Sequence, residues 1–160
     1  MEMMLHVKAK FPVAIFVLGL CFVTPPAQLS GQRLYPVQGP QASLTPQPVF
    51  VARLTGASTG NFTVSFSNGE TFKGKWATVS ASPGGSTAPR IPDVNQAQPD
   101  LAFAWDAIFG QGYFVAQVLG ESVGRTIITG DRGTVLQAEF FNGRVGVAAD
   151  SKGNVYKIVW

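Results

Sequence analysis

The 160-residue chain is 13% charged and carries 18 Gly and 11 Pro, a balance of apolar stretches punctuated by turn formers that favours an all-β domain over a helical bundle. Its length suits one domain large enough to bury a core. The formal charge of +3 comes without a run of basic residues, so no nucleic-acid footprint is expected.

The first element reads as an export signal. "MEMMLHVKAK" supplies Lys8 and Lys10, "FPVAIFVLGLCFV" is a 13-residue apolar run, and "TPPAQLSG" turns polar and small, the order of a secretory signal. The run is shorter than the ~20 apolar residues that a membrane-spanning helix needs. Residues 1–31 are therefore set apart from the fold, and the protein is expected in the periplasm or cell envelope. Cys21, the only cysteine, lies inside this segment. A lipid-modified envelope protein places its cysteine at the end of the apolar core, after a small residue. Here Leu20 holds that place, Gly19 stands one position early, and Phe22 and Val23 extend the run. The favoured reading is a cysteine serving as a small hydrophobe. Lipidation of Cys21, anchoring the protein to a membrane, is the alternative.

"QRLYPVQGPQASLTPQP" follows, rich in Gln and Pro and without periodicity, and reads as an extended tether over residues 32–48. The β domain is expected over residues 49–160. In "VFVARLTG", Phe50, Ala52 and Leu54 share one face. In "NFTVSFSNGETFKGKWATV", Phe62, Val64 and Phe66 alternate with polar residues, Asn68-Gly69 gives a hairpin signal, and Phe72 and Trp76 continue one face while Lys73 and Lys75 face water. The stretch 80–99 has four Pro and almost no apolar content and reads as a disordered loop. "DLAFAWDAIFG" is read as a short helix, capped by Asp100, striped by Leu101, Trp105, Ile108 and Phe109, and ended by Gly110. "GYFVAQVLG", "GRTIITG", "GTVLQAEFF", "GRVGVAAD" and "NVYKIVW" read as successive strands separated by turn residues. The expected architecture is a single antiparallel meander of seven or eight strands with one short helix. A small barrel is favoured because the last strand is free to pair with the first, with a β-sandwich as the alternative.

Few residues offer chemistry. The one histidine, His6, lies in the signal segment with the one cysteine, so the residue types that most often act as general base, thiol nucleophile or zinc ligand are missing from the rest of the chain. The carboxylates Glu70, Asp93, Asp100, Asp106, Glu121, Asp131 and Asp150 fall at turns or element ends, where solvation or capping explains them. Glu139 lies on a strand, out of phase with Leu136, Ala138 and Phe140, and so on the outer face. No catalytic residue, cofactor or metal is assigned. In "DSKGNVYKI", Asp150 and Asn154 flank Lys152 and no further carboxylate follows, which fits a calcium loop poorly and a tight turn well, with Asp150 bonding local backbone and Gly153 left-handed. Trp76, Trp105, Tyr113 and Tyr156, with Trp160, are the residues that would form a glycan- or lipid-binding surface. In a small β domain such side chains are more often core.

The segments "RLYPVQGP", "NGETFKGKW", "TGDRGTVLQAEF" and "KGNVYKIVW" together resemble a family of small, uncharacterised bacterial envelope proteins, over residues 33–160. The resemblance implies an envelope location. Many such proteins are predicted lipoproteins, which implies acylation at Cys21, and Leu20 departs from that pattern. It implies no activity. The expected function is thus a non-enzymatic exported envelope module, structural or interacting, of unknown partner and reaching a membrane only through its N-terminal segment or a lipid on Cys21. The alternative is a small-ligand, glycan or lipid binder using the aromatic residues, with the 80–99 loop as a lid. A filled interior favours the first, and a solvent-open apolar cavity the second.

Overall fold

A computed structural model describes residues 31–82, 100–141 and 143–160. The expected signal segment with Cys21, Asp93, and the expected loop from residue 83 to 99 lie outside the described residues. The chain forms a closed antiparallel barrel of eight strands: β1 (Gln32–Gln38), β2 (Phe50–Leu54), β3 (Thr59–Ser65), β4 (Thr71–Ser80), β5 (Ser122–Thr129), β6 (Val135–Phe140), β7 (Val145–Asp150) and β8 (Val155–Val159). Each strand pairs with its sequence neighbours, and β8 closes on β1 with Leu34 opposite Ile158. One helix, α1 (Leu101–Phe109), interrupts the meander between β4 and β5.

The barrel and the single helix agree with the sequence reading, but two of its elements change places. Residues 32–48 are not a tether. Their first seven residues are β1, which closes the barrel, so the domain begins at Gln32 and not at residue 49. Pro36 is tolerated because β1 pairs with β2 only through Leu34, and its ladder with β8 shifts register between Pro36 and Gln38. A proline disrupts a strand only where its missing N–H belongs in a ladder. Conversely, "GYFVAQVLG" is no strand but a π-helical turn over Phe114–Val118. The Asp106 carboxylate holds it there by accepting from the amides of Gly112 (3.1 Å) and Phe114 (2.8 Å). Ser80, placed at the start of the loop by its composition, is the last residue of β4.

Inward-facing side chains fill the barrel in the alternation expected of a half-buried strand. Leu34, Phe50, Phe62, Val64, Phe72, Trp76, Leu136, Phe140, Tyr156 and Ile158 form one buried cluster. Large rings are admitted because small residues face them. Phe140 lies across Gly124 and Gly146, where an added Cβ would sit 2.3 Å and 2.5 Å from its side chain. A second cluster lies outside the barrel wall, where Leu101, Ala104 and Trp105 of α1, with Phe114 and Val118, pack on Val123, Val147, Ala149 and Val155. Asp100 caps α1 by accepting from the Ala102 amide at 2.9 Å, and Gly110 ends it with φ 110°. The wall formed by β5–β8 is therefore buried on both faces, while that formed by β1–β4 is buried only on the inside.

Candidate functional site

Three places gather polar or aromatic side chains, and each was built by a different local rule. At one barrel end, three hairpins share a single design. The chain turns over residues 66–70, 130–134 and 150–154, each with a left-handed glycine in fourth place: Gly69 (φ 82°), Gly133 (φ 86°) and Gly153 (φ 82°). This is a type I turn followed by a glycine bulge. Because alternate connections of a meander fall at the same end, these turns converge with the β1–β2 connection. The Gln41 amide there donates to Asn154 Oδ1 at 2.8 Å.

Inside this end sit two carboxylates with saturated oxygens. Glu70 is fully buried and accepts from the Thr134 amide (3.0 Å), the Thr134 hydroxyl (2.7 Å) and the Lys152 ammonium (3.2 Å). Burial alone pushes the Glu70 carboxyl up, but the Thr134 donors and the Lys152 charge outweigh it and hold the group below the usual carboxylate range. Asp150 accepts from the backbone of Lys152 and Asn154, the Asn154 amide side chain and the Tyr156 hydroxyl. The tight-turn reading of the terminal motif holds, with Asp150 on local backbone and Gly153 left-handed. Of solvation or capping, capping describes Asp150 on its own turn, whereas Glu70 is buried and bonded to the distant Thr134 and Lys152, which neither reading anticipates.

The Glu70 arrangement sets a pH dependence. A folded-state pKa below the unfolded one contributes stability that is present above the unfolded value and lost as pH falls through the folded value. Glu70→Gln is expected to cost about 1.5–3 kcal/mol at neutral pH, the range for hydrogen bonds to a charged group. That penalty should shrink as pH falls below the ordinary carboxylate range and through the lowered folded-state value, since the wild type then loses the same charge. Denaturant unfolding of both proteins at several pH values reads this. A penalty of constant size on acidification would contradict the assignment.

Under the helix lies the second place. Glu139 points outward from β6, as its phase requires, but the outer face here is covered and the side chain has no exposure. It pairs with Arg125 of β5, whose Nε and Nη2 both donate to Glu139 Oε1, while Trp105 Nε1 of α1 donates to Oε2 at 2.7 Å.

The four aromatic residues named as a ligand surface do not share a surface. Trp76 and Tyr156 point into the barrel, where Trp76 donates to the Thr55 carbonyl (2.9 Å) and Tyr156 to Asp150 (2.7 Å). Trp105 is buried beneath α1, stacked with Tyr113 and tilted against Phe109. Trp76, Trp105 and Tyr156 are core and closure residues whose polar tips find internal partners, while Tyr113 is half-buried at the edge of the helix cluster. Trp160 is partly exposed and tilts onto Phe140.

The third place escaped the sequence reading. On the uncovered wall, Arg33, Arg53, Lys73 and Lys75 all project outward and are exposed. The registers set Arg33 opposite Val51, Arg53 opposite Thr63, and Thr63 opposite Lys73. No outward position of β1–β4 is a carboxylate, and none of these four cations makes an ion pair with a described residue. Val51 (54% exposed) and Val49 (48%) stand among them. A polar cleft of about 330 Å³, lined by Thr71, Lys73, Thr129 and Asp131, opens on the β4 side of this wall. There the β4–β5 ladder, which runs from Ala77 to Ser80, gives way to the Thr126 hydroxyl on the Lys75 carbonyl and the Asp131–Thr71 contacts. The signal was present as "R-L-Y" and "K-G-K", but only the pairing of β1 with β2, and of β3 with β2 and β4, brings them to one wall.

No family model, curated protein or solved structure matches the chain.

Proposed function

We propose that the chain is a non-enzymatic, exported module of the cell envelope, a structural barrel that works through its outer surface. The observation that carries this reading is the contrast between its two sides. Within the barrel, fully buried rings occupy the space a small ligand would need, and the buried carboxylates Glu70, Glu139 and Asp150 are engaged by internal donors that hold the fold. A catalytic group needs access to a reacting atom. Outside, one wall is covered by α1, and the other presents exposed valines and cations that form no ion pair among the described residues. The signal-like N-terminus and the likeness to small envelope proteins support the location. A ligand-binding role for the barrel interior finds no support in this packing.

Fractionation of bacteria expressing the chain with its native N-terminus tests the location. The protein is expected in the periplasmic or envelope fraction, and recovery of the full-length chain in the cytosol would overturn the reading. Cys21→Ser is expected to leave the distribution unchanged, with the cysteine acting as part of the apolar segment. Loss of membrane association in that variant would assign a lipid anchor to Cys21.

A further inference from the structure

We infer that the outer wall of β1–β4 is a docking surface for anionic phospholipid headgroups, with Arg33, Arg53, Lys73 and Lys75 meeting the phosphates and Val49 and Val51 entering the interface between headgroups and acyl chains. The inference rests on the envelope location proposed above and names the partner of that module.

Charge comes first. The four cations lie on three strands of one wall, Arg33 on β1, Arg53 on β2, and Lys73 and Lys75 on β4 with Thr63 of β3 between, each strand roughly 5 Å from the next, and no carboxylate shares the outward positions of β1–β4. Asp131, at the cleft on the β4 side, is engaged by the Thr71 amide at 3.0 Å. Among the other described basic residues, Arg132 donates to the Asn68 carbonyl between the β3–β4 and β5–β6 turns, Arg144 stands at the β6–β7 turn, and three are engaged by internal partners. Arg125 is buried against Glu139, Lys152 pairs with Glu70, and Lys157 lies over the Phe109 ring at 5.4 Å. A modest net charge is thereby sorted into one single-sign wall, which attracts an anionic partner and falls off over a Debye length.

The exposed apolar residues choose among anionic partners. A nucleic acid or other polyanion bound by stacking would use aromatic platforms, and the only aromatic residue facing out from β1–β4 is the half-buried Tyr35. An acidic protein would be expected to seat a large anchor side chain in a pocket. Branched aliphatic side chains between long cationic ones suit the boundary of a lipid surface, where Arg and Lys extend their charged ends to the phosphates and the aliphatic groups enter the first carbons. Chain connectivity agrees. The apolar run ends at Val23, and at ~3.5 Å per residue the eight residues before β1 span at most ~28 Å. A membrane holding that run would lie within reach of the first strand of this wall.

Vesicle co-sedimentation of the full chain tests the inference. Wild type and variants carry the same N-terminus, so differences between them report the wall. Vesicles of phosphatidylcholine alone are compared with vesicles containing about one-third phosphatidylglycerol, where each cation held near the surface is expected to raise partitioning about fivefold. Lys73→Gln with Lys75→Gln, and separately Arg33→Gln with Arg53→Gln, should each lower binding to the anionic vesicles about 25-fold. Val51→Asn should lower it further, and thermal melts of the variants should match wild type. Arg144→Gln, at the β6–β7 turn, should leave binding unchanged. Equal binding to neutral and anionic vesicles would overturn the inference. So would losses no greater than that of Arg144→Gln, or binding to dextran sulfate without binding to vesicles. Fractionation decides the location independently. A cytosolic protein that still partitions onto anionic vesicles would overturn the envelope reading and keep the lipid contact, whereas an exported protein indifferent to headgroup charge would overturn the lipid contact alone.

Discussion

Glu139→Ala is expected to lower folding stability by about 3–5 kcal/mol, the range for removing one partner of a buried ion pair. Glu139 has no solvent exposure and Arg125 is 6% exposed, so the truncated variant leaves a guanidinium in the wall with nothing to replace water. The same change strands Trp105 Nε1, which donates to Glu139 at 2.7 Å, and so loosens α1 from the barrel. Arg125→Ala should cost a similar amount, because the carboxylate then stays buried with only the indole as donor. The double replacement Arg125→Met with Glu139→Leu should cost much less than either single change. The charges leave together, and Arg125 Nη1 has no partner among the described residues, which lowers the net value of the native pair. Urea unfolding of the four proteins checks this. A double variant as unstable as the singles would show that the pair contributes through shape and not through compensated charge.

What the residues disclosed in advance follows from where each one sends its side chain. Strands β2, β3 and β4 were legible because Phe50/Ala52, Phe62/Val64 and Phe72/Trp76 alternate with residues that face water. The uncovered wall makes the pattern clean. On the other wall the same rule fails. β6 is buried at all six positions, and the phase of Glu139 gives its face correctly but not what covers it. The cover is α1, docked through Trp105, and no local pattern on β6 signals a helix that packs from far along the chain. Missing β1 and assigning a strand at residues 112–120 have opposite causes. At Pro36, composition argued against a strand that pairs with β2 only as far as Leu34 and shifts its register on β8 just past the proline. At Phe114–Val118, β-branched residues argued for a strand, while the spacing of Phe114 and Val118, the two buried residues of this turn, already suited one face of a helix. Asp106 capping the two amides across an intervening loop is a tertiary choice that propensity does not record. The cationic wall was hidden with β1, since Arg33 joins Arg53, Lys73 and Lys75 only once residues 32–38 are a strand paired with β2.

The β7–β8 turn carries the other large effect, because Asp150 joins the turn to Tyr156 of β8 and, through Asn154, to the connection after β1. Its carboxylate accepts from the amides of Lys152 (2.9 Å) and Asn154 (3.0 Å), from Asn154 Nδ2, and from the Tyr156 hydroxyl at 2.7 Å. Asn154 in turn accepts from the Gln41 amide, which ties the β7–β8 turn to the connection that follows β1. Burial first, and then the Asp150 charge, push the Tyr156 phenol far above its usual range, so the hydroxyl remains a donor at any pH at which the fold persists. Asp150→Ala leaves the Asn154 amide groups and the Tyr156 hydroxyl buried without their acceptor, at about 1–3 kcal/mol for each group left unsatisfied. A total loss of roughly 3–5 kcal/mol is expected, since relaxation recovers part of it. Tyr156→Phe removes one donor and should cost about 1 kcal/mol. In the Asp150→Ala background the tyrosine substitution should cost less, because the hydroxyl has already lost its acceptor. A double-mutant cycle in denaturant measures that coupling. If the two losses simply add, Asp150 holds the turn alone and the barrel end is not the joined network that its hydrogen bonds describe.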